Sequence, residues 1–202
     1  MGLKQLAESI TSRPILTRHP SGLPFHMNFP IIKRKISFGD DFDEQLIFII
    51  RGQGDKQHRK TNVKASMTEW FMQKQHKPFQ VIGDKAIKIA RKNSPYDISM
   101  ELFDCWGAIY GKDDWTAAHD HWPHPWSFVY YVKCGVNDSP IVFPDGYQGE
   151  HHVKPVAGEI VLFPGWLRHS VPTQLHDSER IVVAGNITSH GAHMTYRERS
   201  AS

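Results

Sequence analysis

The sequence has few of the features that mark a secreted, membrane-bound or disulfide-rich protein. It contains two cysteines in 202 residues, too few for a disulfide framework or a zinc ribbon. No apolar run approaches the roughly 18 residues of a membrane span, and the first five residues lack the apolar stretch of a secretory signal. We therefore expect a cytoplasmic protein with no membrane partner, in which Cys105 and Cys134 are reduced core thiols.

Charge of one sign is also scarce. The 24 Lys and Arg residues nearly balance the 21 Asp and Glu residues, which leaves a net charge of +3, and no long basic run stands out. Such a balance does not indicate a dedicated nucleic-acid surface. We expect no nucleic-acid partner, and polyanion binding is the alternative.

Internal repeats, low-complexity tracts and Gly/Ser-rich linkers are absent as well. Apolar residues make up 40% of the chain and charged residues 22%, as in ordinary globular proteins. The length suits one domain that buries its own core. We expect residues 1–202 to form a single domain.

The first half of this domain, about residues 1–98, predicts strand and helical support. Residues 25–33 alternate in part between apolar and polar, which predicts a half-buried strand with Pro30 at an edge or bulge. Residues 40–50 begin with acidic side chains and continue as an apolar run, which predicts a helix. Residues 78–92 repeat apolar positions every three to four residues and predict a second helix.

The second half, about residues 99–190, consists of short strand-like runs divided by Gly, Pro, Asn and Asp. The runs cover residues 100–110, 128–132, 141–143, 160–163 and 181–184. Residues 147–152 lie between two of them and predict a surface loop. Several short strands beside helices from the first half indicate a predominantly β protein with a flanking helical layer, a jelly roll or related β-barrel.

Histidine is abundant, and it is concentrated in this second half. Seven of the 13 histidines lie between His119 and His176, where even spacing would place about four. In an extended segment, His119 and His121 would project to one face, and His169 follows a buried-looking run fifty residues later. A barrel brings such ends together, and neutral imidazole binds Fe, Zn, Cu or Ni. This predicts a metal site with open coordination positions.

A single cation opens the last predicted strand. If Arg180 faces the barrel interior, its charge is uncompensated until an anion meets it, and a carboxylate matches its fork of donors. The alternative is a surface pair with Asp177 or Glu179. Ser127 and Tyr131 alternate onto one face of a neighbouring run. Facing inward, their hydroxyl groups would complete the hydrogen bonds of the carboxylate; otherwise Tyr131 is a core aromatic.

Four of these segments, in order and spacing, resemble the 2-oxoglutarate- and Fe(II)-dependent oxygenases. The segments are His119 to His121, residues 127–132, residues 158–172, and residues 179–181 followed by Asn186. The resemblance is to an oxygenase family common in phages and marine bacteria and related to prolyl 4-hydroxylases. It implies a double-stranded β-helix, also called a jelly roll or cupin-like fold. It also implies Fe(II), 2-oxoglutarate as small-molecule cosubstrate, O2, and a hydroxylated acceptor, for which a peptidyl prolyl residue of a peptide or protein rests on the family alone.

The resemblance also implies roles for individual residues. By this resemblance, Fe(II) would be ligated by His119, the residue at position 121 and His169. The distal carboxylate of 2-oxoglutarate would be bound by Arg180 and Tyr131. Position 121 departs from the usual pattern, because the oxygenase triad contains two histidines and one carboxylate. Either His121 ligates in place of the carboxylate, or Asp120 does so through a bent backbone, or the site has lost normal iron chemistry.

The acceptor side of the site is expected around the ligand pair. Trp122, His124 and Trp126 would form a rim, with Asn186 on the last strand, and the alternative is that the tryptophans pack the barrel mouth. Two other functions compete with the oxygenase. One is a three-His cupin-like metalloenzyme that uses O2 without 2-oxoglutarate, and the other is a non-catalytic barrel that serves as a binding module.

Overall fold

Antiparallel strands make up most of the fold, with two helices against one face. The structure is a computed structural model that describes residues 31–36, 38–57, 62–94, 98–145 and 150–189, and the backbone of three short strands before residue 28. The elements are β1 (Ile10–Thr11), β2 (Ile15–Arg18), β3 (Pro24–Met27), β4 (Ile31–Lys35), α1 (Asp40–Gln53), β5 (Val63–Lys64), β6 (Ser66–Met67), a 3₁₀ turn (Met72–Lys74), α2 (Lys77–Asn93), β7 (Met100–Tyr110), β8 (Trp115–His119), β9 (Trp126–Lys133), β10 (Ile141–Phe143), β11 (His151–Val153), β12 (Glu159–Pro164), β13 (His169–Val171) and β14 (Arg180–Ser189).

The strands form two large sheets and a small hairpin. The seven-stranded sheet has the order β1-β4-β12-β9-β14-β7-β6, and the five-stranded sheet has the order β11-β10-β13-β8-β5. All recorded pairings are antiparallel, and β2 pairs with β3. The expectation of a predominantly β protein with a flanking helical layer is confirmed. Among the described residues, no helix is both long and apolar enough to cross a bilayer.

Alternation along the central strands divides the core in two. On β9, Phe128 and Tyr130 point to one side, where they pack with buried residues of α1 and α2. Tyr131 points to the other side, where it packs with Phe143 of the five-stranded sheet and with Val182. Because successive side chains of a strand face opposite sides, the seven-stranded sheet covers a helix-side core with one face. Its other face closes an inter-sheet space.

The two helices lie where their sequences predict, although α1 continues three residues beyond the predicted end at residue 50 and α2 is one residue longer at each end. α1 carries Asp40, Asp41 and Asp43 in its first turn, where carboxylates offset the positive end of the helix dipole. α2 has proline in its first turn and Arg91 and Lys92 in its last turn. Both helices are confirmed, and each buries one apolar face on the sheet.

Three sequence expectations differ from the structure. Residues 25–33 contribute to β3 and β4 rather than to one strand, and Pro30 lies outside the described residues. His151 and His152 belong to β11, so the predicted loop over 147–152 is wrong at its end, and residues 147–149 are outside the described part. Cys134 is half-buried rather than a core thiol, whereas Cys105 is fully buried.

Candidate active site

Two of the predicted ligand residues are direct partners across a strand pair. β13 runs antiparallel to β8 with His169 opposite His119. Residues that face each other across an antiparallel pair have neighbouring side chains on one face of the sheet. Strand pairing therefore brings together two imidazoles that are fifty positions apart in the chain.

The third imidazole is positioned by the turn that precedes β13. The backbone N–H of His121 donates to the carbonyl oxygen of Gly165 at 2.6 Å, and the N–H of Gly165 donates to Pro125 at 3.2 Å. The two chain segments are so close that a Cβ on Gly165 would lie 2.1 Å from the carbonyl oxygen of His124. Glycine is required at this contact, and the contact fixes His121 beside the other two rings.

The three histidines can offer their ring nitrogens to one point. One potential ligand atom from each of His119, His121 and His169 lies within 4.8 Å of those of the other two. The ring centroids are separated by 4.4 Å between His119 and His169, 4.9 Å between His119 and His121, and 5.1 Å between His121 and His169. Three donors from two chain segments leave one side of this point open.

Hydrogen bonds orient two of these rings. Nδ1 of His119 lies 2.8 Å from the carbonyl oxygen of Ala117, and Nδ1 of His169 lies 3.0 Å from that of Leu167. A carbonyl oxygen accepts, so Nδ1 carries the proton in each ring and Nε2 is left as an acceptor. This outer arrangement is the one that holds metal-binding histidines in proteins.

The three imidazoles are neutral because they lie close together and are largely withdrawn from water. Burial lowers the pKa of His169 well below its usual value, and the neighbouring His119 and His121 add to the effect. Burial, assisted by His119 and His124, lowers the pKa of His121 to about 3. Burial also lowers the pKa of His119, against a backbone hydrogen bond that raises it. Neutral imidazole is the form that binds metal ions.

Asp120 lies between two of the histidines in sequence but outside their cluster. One of its carboxylate oxygens, Oδ1, accepts a hydrogen bond of 3.0 Å from the backbone N–H of Trp122. This local turn holds the carboxylate away from the point that the three rings share, although Asp120 lines the same cavity.

The histidine cluster lies at a cavity of about 490 Å³ between the two sheets. This volume is in the range of small-molecule sites. Among the described residues that line it, the side chains with a full charge are Arg180 and Asp120. Phe163 lies next to His169, with ring centroids 4.6 Å apart, and forms part of an apolar wall.

Arg180 is a buried cation without a carboxylate partner in the described part of the chain. Its side chain is 2% exposed, and its guanidinium lies 4.1 Å above the ring of Tyr110. Nη1 donates to the carbonyl oxygen of Ser139 at 2.6 Å, and Nε has no hydrogen-bond partner. A surface pair with Asp177 or Glu179 is therefore wrong: Glu179 pairs with Arg51 and Lys133, and Asp177 with Lys112.

Tyr131 lines the cavity together with Arg180. Its side chain is 2% exposed, and burial raises the pKa of its hydroxyl well above the usual value, while Arg180 lowers it. The hydroxyl is therefore protonated at neutral pH and is available as a hydrogen-bond donor.

Ser127 and Asn186 do not line the cavity. Oγ of Ser127 donates to Oδ1 of Asn186 at 2.7 Å, and Asn186 donates from its backbone N–H and its Nδ2 to Oδ1 of Asp104 at 3.1 and 2.9 Å. Ser127 was expected to bind the cosubstrate and Asn186 to form part of the rim. The structure instead places both side chains in a buried hydrogen-bond network away from the cavity.

The predicted aromatic rim also differs from the structure. Trp126 is buried in the helix-side core, because it alternates with Ser127 and points away from the inter-sheet space. Trp122 is 69% exposed, and the His124 ring lies 4.6 Å from that of Phe103. None of these three side chains lines the cavity.

Two other tryptophans occupy the place expected for the rim. Trp70 and Trp106 line the cavity, with ring centroids 4.6 Å apart in an edge-to-face arrangement. The ring of Trp106 is 6.2 Å from that of His121. Alternation along β7 places Trp106 in the inter-sheet space, but Trp70 has no signal in the sequence because it reaches the site through the pairing of β6 with β7.

A family model covers the second part of this site. Residues 144–186 match the family described as "Putative 2OG-Fe(II) oxygenase". The matched segment contains His169, Arg180 and Asn186. A search of curated proteins finds no match.

Solved structures of oxygenases share the fold. The viral collagen prolyl hydroxylase of Paramecium bursaria Chlorella virus-1, a 2-oxoglutarate complex, is 17% identical with a TM-score of 0.61, over 77% of this chain and 93% of that chain. The prolyl-4-hydroxylase of Pseudomonas putida is also 17% identical with a TM-score of 0.61, over 77% and 91%. HygX of Streptomyces hygroscopicus, with nickel, 2-oxoglutarate and hygromycin B bound, is 10% identical with a TM-score of 0.63, over 79% and 83%.

The fold is thus the double-stranded β-helix of the 2-oxoglutarate/Fe(II) oxygenases. The matching family is described as an oxygenase of that kind, two of the structural neighbours are named as prolyl hydroxylases, and the third holds nickel and 2-oxoglutarate. The resemblance to oxygenases related to prolyl hydroxylases is confirmed.

Proposed function

We propose that this chain is a 2-oxoglutarate- and Fe(II)-dependent oxygenase that hydroxylates an organic acceptor. In the overall reaction, 2-oxoglutarate loses CO2 and becomes succinate, one atom of O2 enters the succinate, and the other enters a C–H bond of the acceptor as a hydroxyl group. One observation carries the proposal: three neutral imidazoles and an uncompensated buried guanidinium line the same cavity. A metal ion and a dicarboxylate would occupy these two positions together.

The donor set fits Fe(II). His119, His121 and His169 are neutral and clustered, with His169 buried and the other two partly buried, and two of them already have Nε2 free for a metal. Imidazole is a ligand that iron accepts, and three ligands leave positions for a cosubstrate and O2. Bound Fe(II) would supply the redox chemistry that activates O2, which no amino-acid side chain provides.

The chain itself would bind and orient 2-oxoglutarate. The guanidinium of Arg180 would form a charge-assisted pair with the distal carboxylate, and the protonated hydroxyl of Tyr131 would donate a further hydrogen bond. The stacking of Arg180 on Tyr110 and its bond to Ser139 hold the guanidinium in one orientation. Apolar neighbours such as Phe163 and Val182 would keep water away from the reacting groups.

The third histidine changes the charge of the metal site. We propose that His121, rather than Asp120, completes the ligand set, because Asp120 bonds to the Trp122 backbone. A neutral imidazole in place of a carboxylate leaves one more unit of positive charge beside the cavity. This charge strengthens the attraction for a dianionic cosubstrate.

For the acceptor, we propose a peptidyl prolyl residue. Two of the structural neighbours are named as prolyl hydroxylases. The paired rings of Trp70 and Trp106 offer an apolar surface beside the metal ligands, on which a pyrrolidine ring could pack. The expected product is a proline-rich peptide that gains one oxygen atom, detected by mass spectrometry; unmodified peptide together with succinate formation would contradict this acceptor.

Calorimetry tests the proposed cosubstrate. We expect 2-oxoglutarate to bind the protein loaded with Mn(II), which substitutes for Fe(II) without activating O2. We expect it to bind the metal-free protein far more weakly. Succinate at the same concentration, which lacks the keto group that would chelate the metal, should show little dependence on the metal. Equal binding of 2-oxoglutarate with and without metal would contradict the proposal.

A second candidate function rests on His121. Three histidines and no carboxylate form the ligand set of a cupin-like metalloenzyme that uses O2 without 2-oxoglutarate. That enzyme would bind the metal but would show no heat of 2-oxoglutarate binding in the same titration. A non-catalytic binding module would bind no redox-active iron and would show no O2 uptake with any added cosubstrate.

A further inference from the structure

A second concave surface lies on the opposite side of the seven-stranded sheet from the cavity. It is a cleft of about 760 Å³ between the end of β4 and the last turns of α2. Among the described residues that line it, the ionisable side chains are all cationic: Arg34, Lys35, Lys85, Lys88, Arg91 and Lys92. We refer to these residues as the basic cleft.

The basic cleft has cations on both of its walls. Lys85, Lys88 and Lys92 have helical spacings of three and four, so they form one ridge of α2. At a rise of about 1.5 Å per residue, this ridge is about 10 Å long. Arg34 lies on β4, on the other wall, on the same face of the strand as Ile32 and Ile36 of the helix-side core. The side chain of Lys35 alternates to the other face of β4, beside Glu159. The arrangement suits a ligand that carries several negative charges in a row.

The basic cleft concentrates charge that the whole chain does not have. Six of the 24 Lys and Arg residues line it, which leaves 18 to balance 21 Asp and Glu residues in the rest of the chain. In the described part of the chain, none of the three ridge lysines lies within 4.0 Å of a carboxylate. Glu159 is the acidic group whose field reaches Lys35.

Helix stability explains part of this charge. Arg91 donates to the carbonyl oxygen of Met100 at 3.2 Å, and Arg91 with Lys92 offsets the negative end of the α2 dipole. Lys85 and Lys88 are in the middle of the helix, where a side-chain charge does not offset the partial charge at either helix end. Their position opposite Arg34 is therefore not accounted for by the helix dipole.

We propose that the basic cleft binds the phosphodiester backbone of a single-stranded nucleic acid. Ammonium and guanidinium groups on both walls match a strand with one charge per nucleotide. The cleft lining contains no aromatic side chain, so the contacts would be to the phosphates, which carry no sequence information. It also lacks the exposed large apolar side chains that a membrane-binding surface buries in lipid.

The position of the basic cleft separates this binding from the proposed chemistry. Helix α2 packs on the helix-side core, whereas the cavity lies between the two sheets. A strand in the basic cleft does not enter the cavity, so it would localise the protein rather than act as its substrate. The sequence alone does not predict the basic cleft, because its cations come from two segments fifty residues apart and neither segment is a long basic run.

Fluorescence anisotropy with a labelled oligothymidylate of about 16 nucleotides, the upper end of common site sizes, tests the proposal. The affinity of the wild-type chain should fall with salt between about 50 and 200 mM, with a logarithmic slope of about −3.5 for five contacts at 0.7 per phosphate. The triple variant Lys85→Gln, Lys88→Gln, Lys92→Gln should bind far more weakly, with a slope smaller by about 2.

The matched control removes three exposed lysines elsewhere, through Lys56→Gln, Lys112→Gln and Lys154→Gln. It has the same net charge as the first triple variant and should bind like the wild type. Equal loss in both triple variants would show general charge attraction and overturn the site. Binding to anionic phosphatidylserine vesicles without binding to the oligonucleotide would overturn the choice of ligand, and unchanged binding of the first variant would overturn both. Thermal unfolding confirms that the variants are folded, and their 2-oxoglutarate titrations should match the wild type.

Discussion

The carbonyl oxygen of Ser139 accepts a hydrogen bond of 2.6 Å from Nη1 of Arg180. Ser139 is itself held by Gln174, whose Oε1 accepts from the Ser139 backbone N–H at 2.8 Å. Gln174 is 1% exposed and also donates from Nε2 to Asp138 and Ser178. The orientation of the guanidinium therefore depends on a buried amide that does not line the cavity.

Replacing this amide should weaken cosubstrate binding without changing the affinity for the metal. Gln174→Leu leaves the Ser139 N–H without its acceptor, at a cost of about 1–3 kcal/mol, and removes one of the hydrogen bonds to the Asp138 carboxylate, which keeps those from Gly135 and Ser178. We expect 2-oxoglutarate affinity to fall about tenfold while metal affinity is unchanged, measured by calorimetry. The control is Gln80→Leu, which removes an exposed hydrogen bond to Asp84 on α2. Wild-type affinity in Gln174→Leu would contradict the positioning role.

Arg180 should be sensitive to the shape of its side chain as well as to its charge. Arg180→Ala should weaken 2-oxoglutarate binding by at least about 30-fold, since losing one member of a buried charge pair costs 2 kcal/mol or more. Arg180→Lys keeps the charge but not the planar fork of donors, so its affinity for 2-oxoglutarate should lie between those of Arg180→Ala and the wild type. Arg168→Ala, an exposed site next to His169, is the matched control. Identical affinities for Arg180→Lys and the wild type would argue against a forked contact.

The ligand set predicts different results for two adjacent residues. His121→Ala should lower the affinity for Fe(II) by more than the 10- to 100-fold that outer-shell partners of a metal are worth. Asp120→Asn should leave it unchanged, because the amide oxygen can still accept from the Trp122 backbone N–H. Metal competition with a coloured chelator measures both. A large loss in Asp120→Asn with little loss in His121→Ala would assign the metal to the carboxylate.

His121→Asp creates the two-histidine, one-carboxylate set that oxygenases usually contain. The variant should retain Fe(II), because a carboxylate oxygen replaces an imidazole nitrogen at the same backbone position. With one more negative charge beside the cavity, it should bind 2-oxoglutarate more weakly than the wild type. Calorimetry on the metal-loaded variant checks this, and tighter binding than in the wild type would contradict the charge argument.

Asp104 should make stability depend on pH. Burial raises its pKa to about 6, against the hydrogen bonds from Asn186, whereas a carboxyl group in an unfolded chain titrates near 3.9. Between about pH 4 and 6 the folded chain therefore holds the extra proton, so the free energy of unfolding falls as pH rises through this window, by up to about 3 kcal/mol.

Asp104→Asn keeps an oxygen for the Asn186 donors but removes the titration. Its free energy of unfolding should be flatter than that of the wild type between about pH 4 and 6, and higher above this window. Urea unfolding at a series of pH values measures both curves. Asp177→Asn, at a side chain that is 88% exposed, should follow the wild type. Parallel curves for Asp104→Asn and the wild type would disprove the assignment.

The sequence was sufficient to anticipate that His119, His121, His169, Arg180 and Tyr131 meet at one cavity, because their positions follow from strand pairing and alternation. His119 ends β8 and His169 begins β13, which are neighbouring strands of one sheet. Arg180 lies on the same face of β14 as Val182, which packs in the inter-sheet space. The same alternation argues against Trp126 in the rim, because Trp126 and Ser127 cannot both face inward. That error was avoidable from the sequence.

Other parts of the site depend on contacts that no local pattern encodes. Gln174 reaches Ser139 across 35 residues, and Trp70 enters the cavity through a strand pair only two residues long. The mutual hydrogen bond of Ser127 and Asn186 withdraws two side chains that alternation alone would offer to the cavity. Such pairings depend on how chain segments meet in space, which residue spacing does not specify.

The visible spectrum of the Fe(II)-loaded protein under anaerobic conditions is the most direct test of the proposed site. On addition of 2-oxoglutarate, we expect a weak metal-to-ligand charge-transfer band from keto-acid chelation, which should be lost in His121→Ala and should need more 2-oxoglutarate in Arg180→Ala. An Fe(II)-loaded wild-type protein that shows no such band at saturating 2-oxoglutarate would contradict the oxygenase proposal.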